Sequence, residues 1–246
     1  MADEVTGGTR ATIDVAAAVL DYVRGAEQLE GTTQIARYTV DHVRDVTGAE
    51  WAELVTTSRG GAVEVLATAD REVTDELMQA RLETANPPPP DAALATQTVV
   101  VEDLSAGSPW GDFGSVAVER TPVRSAVLPY FTVAGGPAAV LPVYDRRPGY
   151  FSADRQRYVR LLAELSALAL SRVAAGREAG QLAAGLRSRG EIGTAVGLLM
   201  ATLGVEADAA FDLLRVTSQR RNRKLVDLAR EVVATGALPG TSPSAG

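Results

Sequence analysis

Residues 192–204 read IGTAVGLLMATLG, and this stretch decides how the C-terminal part of the chain is interpreted. Its apolar side chains recur at i, i+3, i+4, i+7, i+8 and i+11, namely at Ile192, Ala195, Val196, Leu199, Met200 and Leu203. This spacing is typical of an α-helix with one apolar face. Gly204 follows the last apolar residue, as expected where a helix ends. The stretch therefore predicts an amphipathic helix whose apolar face is covered by neighbouring elements.

Two more helices are predicted after this one. The second carries its apolar residues at Ala210, Phe211, Leu213, Leu214 and Thr217, with Val205 packing against its start. The third is capped by Asn222, ends at Gly236, and is predicted to bury Leu225, Leu228, Ala229, Val232 and Val233. Three helices of about 12 to 15 residues make a bundle that is only marginally stable alone. We therefore expect the bundle to dock or to dimerise.

The chain before residue 176 alternates between the periods of helices and strands. Helices are predicted at 12–28, 32–46, 75–85 and 152–175, the last with Ser152 as its N-cap. Strands are predicted at 51–56, 62–68, 97–101, 124–132 and 137–144, and a loop or short helix at 110–120. Residues 58–61 give a hairpin turn, and four prolines at 87–90 end the third helix. This order predicts an α+β fold, an antiparallel sheet flanked by helices.

The predicted organisation is two domains joined by a connector. Residues 12–175 form the sheet domain with its N-terminal helix, and residues 187–236 form the all-α three-helix bundle. A helical connector weakened by three glycines is predicted at 176–186, with disordered tails at 1–11 and 237–246. The helices at 12–28 and 152–175 carry more apolar surface than one small sheet can cover. We expect these two helices to contribute to a homodimer.

Composition restricts the chemistry of the chain. The 246 residues carry a formal net charge of −7, the sequence pI is near 4.9, and cysteine is absent. The lack of cysteine excludes disulfides, thiolate metal sites, thiol nucleophiles and a chromophore attached through cysteine. The polar N-terminus does not resemble a signal peptide, and no apolar run approaches the roughly 20 residues that span a bilayer. We expect a cytoplasmic location and no membrane partner.

Charge is distributed unevenly along the chain. Residues 186–236 contain eight basic and six acidic residues, a net +2, which leaves −9 for the remainder. The run Arg220-Arg221-Asn222-Arg223-Lys224 lies at the turn between the second and third helices of the bundle. Clustered cations can hold phosphates, and arginine also stacks on unpaired bases. A solvated turn is the other interpretation of this run, and both stay open at this point.

Residues 187–236, about a fifth of the chain, closely resemble the ANTAR domain family. The resemblance is carried by Arg189, Ile192, Ala195-Val196-Gly197-Leu198-Leu199-Met200, Gly204, Ala210-Phe211-Asp212-Leu213-Leu214-Arg215, Ser218, Asn222-Arg223-Lys224-Leu225 and Asp227-Leu228-Ala229. It implies a three-helix module that binds paired RNA hairpins in mRNA leaders, usually as a dimer. A terminator then cannot form, so the implied function is transcription antitermination.

Residues 30–175 look like a GAF domain. The resemblance is carried by Ala138-Ala139-Val140-Leu141-Pro142-Val143-Tyr144, by Arg147-Pro148-Gly149-Tyr150-Phe151-Ser152 and by the helix that continues to Ala169. It implies a sensory domain for an unknown small-molecule or protein signal, and proteins that pair the two domains are typical of actinobacteria. The chain lacks the signature of the cyclic-nucleotide binders, and we assign no cofactor to it.

Nine residues of the bundle are the predicted RNA contacts, namely Arg187, Arg189, Arg215, Ser218, Arg220, Arg221, Asn222, Arg223 and Lys224. No catalytic or metal site is predicted. The single histidine, His42, lies within a helix without a second ligand-type residue nearby and is expected to be structural, so we do not expect an enzyme. Two other functions stay open: a DNA-binding regulator of the helix-turn-helix class, and a protein-interaction sensor that binds no nucleic acid.

Overall fold

A computed structural model describes residues 13–57, 62–85, 87–88, 97–134, 136 and 138–239. The predicted tail at 1–11, residues 240–246 of the second tail, the hairpin turn at 58–61 and residues 89–90 of the proline run lie outside the described residues. The chain separates into two compact units, one ending at Ala175 and one beginning at Gly176. We call them the sheet unit and the helical unit.

The sheet unit is built from one sheet and several helices. Its helices are α1 (Val15–Glu27), α2 (Thr32–Thr47), α3 (Arg71–Glu83), α4 (Phe113–Arg120) and the first part of α5 (Ala153–Leu203). Its strands are β1 (Trp51–Thr57), β2 (Val63–Thr68), β3 (Thr98–Val101), β4 (Ser125–Thr132), β5 (Ala138–Val140) and β6 (Val143–Asp145). The strands pair antiparallel in the order β2-β1-β5-β4-β3, and β6 pairs with β1 and β4. The predicted α+β fold with an antiparallel sheet is confirmed.

The strand predicted at 137–144 is wrong as a single element, because Leu141 and Pro142 separate β5 from β6. Both short strands pair with β1, β5 through Val55 and Thr56, and β6 through Trp51 and Ala52. Pro142 has no N–H to donate to the sheet, and its carbonyl accepts the Glu53 N–H at 3.0 Å. The interruption therefore lies opposite the middle of β1, next to Glu53.

Helices cover both faces of the sheet, which is why all seven residues of β1 are buried. Side chains alternate along the strand, so Ala52 and Leu54 belong to the core formed with α1, α2 and α5. Trp51 and Val55 belong to the core formed with α3 and α4 on the other face. Glu53 shares the second face, and it is the carboxylate on that side of β1.

The helical unit consists of the last part of α5, α6 (Ala207–Arg220) and α7 (Leu225–Thr235). Its buried core is formed by Ala195, Leu199, Ala210, Leu214, Leu228, Ala229, Val232 and Leu238. Gly204 and Gly236 have φ values of 67° and 76° and end α5 and α7, as predicted. The predicted burial of Val233 is wrong, because it is exposed next to the buried Val232. Adjacent side chains on a helix point about 100° apart, so the small core covers Val232 and leaves Val233 exposed.

α5 is a single helix of 51 residues, so the helix predicted at 152–175 continues without a break into the helical connector predicted at 176–186. Gly176, Gly180 and Gly185 lie inside it, because glycine weakens a helix without preventing it. α3 begins at Arg71, earlier than predicted, since the Asp70 carboxylate accepts the N–H groups of Glu72 and Val73. Among the described helices, none alone is long and apolar enough to cross a membrane, although α5 and α6 satisfy length and composition as a bent pair.

Candidate functional site

Residues 220–224, which we call the basic turn, connect α6 to α7. The Ser218 hydroxyl donates to the Arg223 carbonyl at 2.6 Å, and the Arg223 N–H donates to the Ser218 carbonyl at 3.1 Å. Asn222 has a φ of 49°, in the left-handed region that asparagine tolerates better than most residues. The N-cap of α7 is Lys224, so the prediction that Asn222 is the cap is wrong. Ser218 and the backbone hold the turn, which leaves the basic side chains outside it.

Nearby acids neutralise three arginines of the helical unit. Arg223 pairs with Glu231, and Arg215 pairs with Asp212 at 2.9 Å. Arg230 lies 2.9 Å from Glu191 and 3.1 Å from Asp227, and its hydrogen bond to Glu191 raises the pKa of its guanidinium. Exposed pairs of this kind contribute little to stability. They do reduce the positive potential that these arginines offer to a polyanion.

Three cations of the basic turn are left without compensation. Arg220, Arg221 and Lys224 are exposed, and within the described part of the chain they have no carboxylate partner. Arg221 donates to the Pro239 carbonyl at 3.0 Å, which leaves its charge intact. Three uncompensated cations within five residues suit contact with a phosphate backbone. The turn is therefore a candidate anion-binding surface.

The other predicted contacts lie elsewhere on the helical unit. Arg187 and Arg189 are exposed on α5, and they too lack a carboxylate partner among the residues described. Arg187 lines a shallow groove between α5 and α7 together with Glu191, Arg230 and Val233. Of the nine predicted contacts, Ser218 is buried and the other eight are exposed. The structure thus places two of the cations on α5 and the remainder on α6 and the basic turn.

The sheet unit contains a cavity of about 40 Å³ between the sheet, α3 and α4. Apolar side chains form most of its wall, including those of Val55, Leu104, Trp110, Phe113, Leu128 and Val140. Besides Tyr130 of β4, polar side chains from three further elements line the cavity: Glu53 of β1, Arg81 of α3 and Tyr144 of β6. None of these three was predicted from the sequence. The available signal was Glu53 itself, a carboxylate within the otherwise apolar run Trp51-Ala52-Glu53-Leu54-Val55.

Burial disfavours the charged forms of these polar groups. Glu53 is only 5% exposed, and its Oε1 accepts the Tyr144 hydroxyl at 3.0 Å. Burial raises the pKa of Glu53 and raises that of Tyr144 strongly, and it lowers the pKa of Arg81. Buried polar groups with shifted pKa values are frequent in the walls of binding sites. The cavity is therefore the second candidate site.

Replacing Glu53 by glutamine is expected to remove a pH dependence of stability. Because burial raises the Glu53 pKa above its ordinary 4.5, the group favours folding most below that pH and loses this contribution as the pH rises through the raised pKa. From about pH 4.5 upward, wild type should lose stability relative to Glu53→Gln in urea unfolding followed by tryptophan fluorescence. Glu64→Gln, on the exposed face of β2, is the matched control and should follow wild type. Parallel curves for wild type and Glu53→Gln would contradict the assignment.

His42 is buried in an aromatic cluster. Its Nε2 lies 3.1 Å from the Ala18 carbonyl oxygen, and its ring packs against those of Tyr22, Tyr38 and Tyr158. In the described ranges, no group of three or more His, Cys, Asp or Glu side chains is arranged to hold a metal ion. His42 therefore helps to join α1, α2 and α5.

An ANTAR domain is found at residues 180–233, the stretch that forms most of the helical unit. This is a family of RNA-binding antiterminators. The match covers about a fifth of the chain and includes the basic turn together with Arg187 and Arg189. No curated protein matches the sequence.

Solved structures resemble the chain in fold. The GAF domain of a phosphoenolpyruvate-protein phosphotransferase from Coxiella burnetii aligns with a TM-score of 0.51 at 9% identity, covering 68% of this chain and 99% of that one. A bacteriophytochrome from the photosynthetic bacterium R. palustris aligns with a TM-score of 0.51 at 14% identity, covering 85% of this chain and 47% of that one. At these identities the likeness shows the fold alone. The fold is a GAF-like antiparallel sheet with helices, followed by a helical region that matches ANTAR.

Proposed function

We propose that this chain is a signal-responsive RNA-binding regulator of transcription antitermination, of the GAF and ANTAR type found in actinobacteria. The observation that supports it most directly is that the ANTAR match falls on helices whose connecting turn presents uncompensated cations. In this proposal the helical unit binds hairpin RNA in nascent transcripts, and the sheet unit senses a ligand or partner and controls that binding. GAF and ANTAR domains are regulatory or sensory rather than catalytic, so the proposal assigns no reaction.

The proposed RNA contacts fall into groups according to the partners that their side chains already have within the chain. Arg187, Arg189, Arg220, Arg221 and Lys224 are the direct contacts, because their charges are uncompensated by described carboxylates. Arg215 and Arg223 are the weaker contacts, because part of each guanidinium is already engaged with Asp212 or Glu231. Ser218 and Asn222 keep the turn in shape, Ser218 through its hydrogen bond to Arg223 and Asn222 through its left-handed backbone. The contribution of the buried Ser218 to RNA binding is therefore indirect, whereas the exposed Asn222 side chain stays a proposed contact.

Gel-shift titration with a two-hairpin RNA and with duplex DNA of the same length, at equal salt, tests the proposal. We expect tighter binding to the RNA and an affinity that falls steeply as salt rises, because phosphate contacts release counterions. Tighter binding to DNA would support the helix-turn-helix alternative. Failure to bind either nucleic acid would support the protein-interaction sensor and contradict the proposed function.

The proposal includes a homodimer, supported by exposed leucines of α5. Leu161, Leu168 and Leu182 are exposed and are separated by 7 and 14 residues, multiples of the seven-residue period of coiled coils, and Leu186 follows Leu182 by four residues. In the helical unit, Leu182 and Leu186 are 65% and 58% exposed. In the sheet unit, Leu165 and Leu168 line an apolar groove with Tyr22 and Val23 of α1. A second copy of the chain is the partner that such a repeat fits.

Replacing Leu182 and Leu186 together by aspartate is expected to weaken dimerisation at least tenfold, because each carboxylate would lie in an apolar seam. Sedimentation equilibrium measures the effect. Leu82→Asp is the control, since Leu82 is 79% exposed on α3 and does not belong to this repeat. A monomeric wild type, or an unchanged dimerisation constant in the double variant, would show that the seam is not the interface.

The proposed domain boundaries are 12–175 for the sensor, 176–186 for a helical connector and 187–236 for the RNA-binding domain, with tails at 1–11 and 237–246. The separation of units after Ala175 and the ANTAR match from residue 180 support this division. Leu238 packs in the core of the helical unit, so we extend the proposed RNA-binding domain to residue 239. We also propose a cytoplasmic location, where nascent transcripts are accessible, with no membrane partner.

A further inference from the structure

His42 lies where α1, α2 and α5 of the sheet unit meet, and both of its ring nitrogens face α1. Its Nε2 lies 3.1 Å from the Ala18 carbonyl oxygen, and its Nδ1 lies 3.9 Å from a carboxylate oxygen of Asp21. Ala18 and Asp21 are three residues apart and therefore share one face of α1. The contact of the ring with α1 thus depends on where the ring carries its protons.

The carbonyl partner determines which nitrogen carries the proton of the neutral ring. A carbonyl oxygen can only accept a hydrogen bond, so Nε2 is the donor to Ala18. Nδ1 then presents a lone pair to the Asp21 carboxylate, which is itself an acceptor, so the two cannot form a hydrogen bond. The neutral ring therefore uses one of its two nitrogens to hold α1.

Protonation of Nδ1 changes this contact from two facing acceptors to a donor facing an acceptor. The ring then presents an N–H to the Asp21 carboxylate, and the Asp21 side chain, which is 78% exposed, has room to approach it. The positive charge also strengthens the bond to Ala18, since hydrogen bonds from a charged donor are about twice as strong as neutral ones. The rings of Tyr22 and Tyr38, centred 5.4 and 5.6 Å away, attract a cation at this range.

The ionisable groups around the ring come from all three helices. Burial raises the pKa of its tyrosine neighbours, which therefore stay neutral in the physiological range, namely Tyr22 of α1, Tyr38 of α2 and Tyr158 of α5. On α2, Asp41 pairs with Arg37 at 3.4 Å, and Asp45 is exposed one turn after His42. Asp21 is therefore the carboxylate in contact with the ring among the described residues. The opposing effect is burial, since His42 is 8% exposed and burial disfavours a charge.

We propose that His42 is a proton-sensitive link that holds α1 on α2 more firmly when its ring is charged. The added attractions outweigh the burial of charge, because the proton is taken up beside an exposed carboxylate. Docking of α1 is then strongest below the pH range in which imidazole releases its proton, about 6 to 7, and weakens as the pH rises through that range. Tyr22 and Val23 of α1 line the apolar groove with α5, so the proton also controls one wall of that groove. This response goes beyond the proposed function and does not require RNA.

Hydrogen exchange of the full chain without RNA, followed by NMR, measures how firmly α1 is held. After correction for intrinsic exchange rates, we expect amide protection in α1, relative to that in β4, to rise about threefold or more from about pH 7.5 to about pH 5.5. His42→Gln, whose side-chain amide can still donate to Ala18 but cannot be charged, should show no such rise. Glu27→Gln, exposed at the other end of α1, is the matched control and should behave as wild type. Wild-type protection that stays constant or falls, or a rise retained in His42→Gln, would overturn the inference.

Asp21→Asn provides a test that leaves the buried side chains unchanged. Asp21 is exposed, so the variant should fold, and the loss of its charge should reduce the rise in α1 protection by about half or more. Because the chain contains a single histidine, nitrogen NMR of wild type also observes its ring directly. We expect the proton of the neutral ring on Nε2. A proton on Nδ1 instead, or an undiminished rise in Asp21→Asn, would overturn the inference.

Discussion

Replacing Arg220, Arg221 and Lys224 together by alanine is expected to lower the affinity for a two-hairpin RNA about 100-fold at physiological salt. These are the cations of the basic turn whose charges are not compensated by described acids. Each phosphate contact also contributes close to one unit to the slope of log affinity against log salt, so the slope should fall by about two to three. Fluorescence anisotropy with labelled RNA at several salt concentrations measures both quantities.

The matched control removes the same charge from the sheet unit. Arg24→Ala, Arg71→Ala and Arg160→Ala together change three exposed arginines outside the ANTAR match. This variant should keep both the affinity and the salt slope within about a factor of three. A comparable loss in both triple variants would mean that overall charge, not the basic turn, determines binding. An unchanged affinity in the first variant would remove the basic turn from the proposed interface.

Replacing Leu214 by alanine is expected to unfold the helical unit and abolish RNA binding. Leu214 is completely buried, and the core of the helical unit contains eight buried residues within the described part of the chain. Truncating a buried leucine costs about 2 to 5 kcal/mol, comparable to the whole stability of a bundle of this size. Hydrogen exchange followed by mass spectrometry should show loss of protection in α6 and α7. Protection in the strands of the sheet unit should be retained.

The neighbouring residue supplies a control for this substitution. Leu213 is 41% exposed on the same helix, so Leu213→Ala removes the same atoms while leaving the core intact. We expect less than about 1 kcal/mol of destabilisation and nearly normal RNA affinity. If Leu213→Ala abolished binding with α6 still protected, Leu213 itself would belong to the interface. If Leu214→Ala remained protected and bound RNA normally, the helical unit would be far more stable than its small core implies.

The helical unit could be predicted from sequence because its determinants are local. The apolar spacing from Ile192 and the terminating glycines Gly204 and Gly236 define helices over short distances. The errors arose where tertiary packing decides. Val233 lies on the side of α7 that does not face the core, so it is exposed. The hydrogen bond between Ser218 and Arg223 shapes the turn so that Lys224, and not Asn222, is the N-cap of α7.

The strand order of the sheet unit could not be predicted from local sequence patterns. Its strands were located well, but their order depends on pairing between distant segments, such as β1 with both β5 and β6. The same limit applies to the cavity, because Glu53, Arg81 and Tyr144 come from three separate elements. The basic turn was predictable because it is contiguous. The sequence did not predict which cations of the turn pair with a carboxylate, because Arg223 and Glu231 come together only when α7 has formed.

The glycines of α5 have a consequence for how easily this helix opens. A methyl group at Gly176, Gly180 or Gly185 would meet no described atom within 4 Å, so packing does not require glycine there. Relative to alanine, the three together make the helix less favourable by about 3 kcal/mol. Brief local unfolding of this segment therefore requires little free energy. A ligand that binds about tenfold more tightly when the segment is helical than when it is unfolded shifts the equilibrium between these two states by about 1.4 kcal/mol. A ligand of modest affinity can therefore regulate how much of the time this segment is helical.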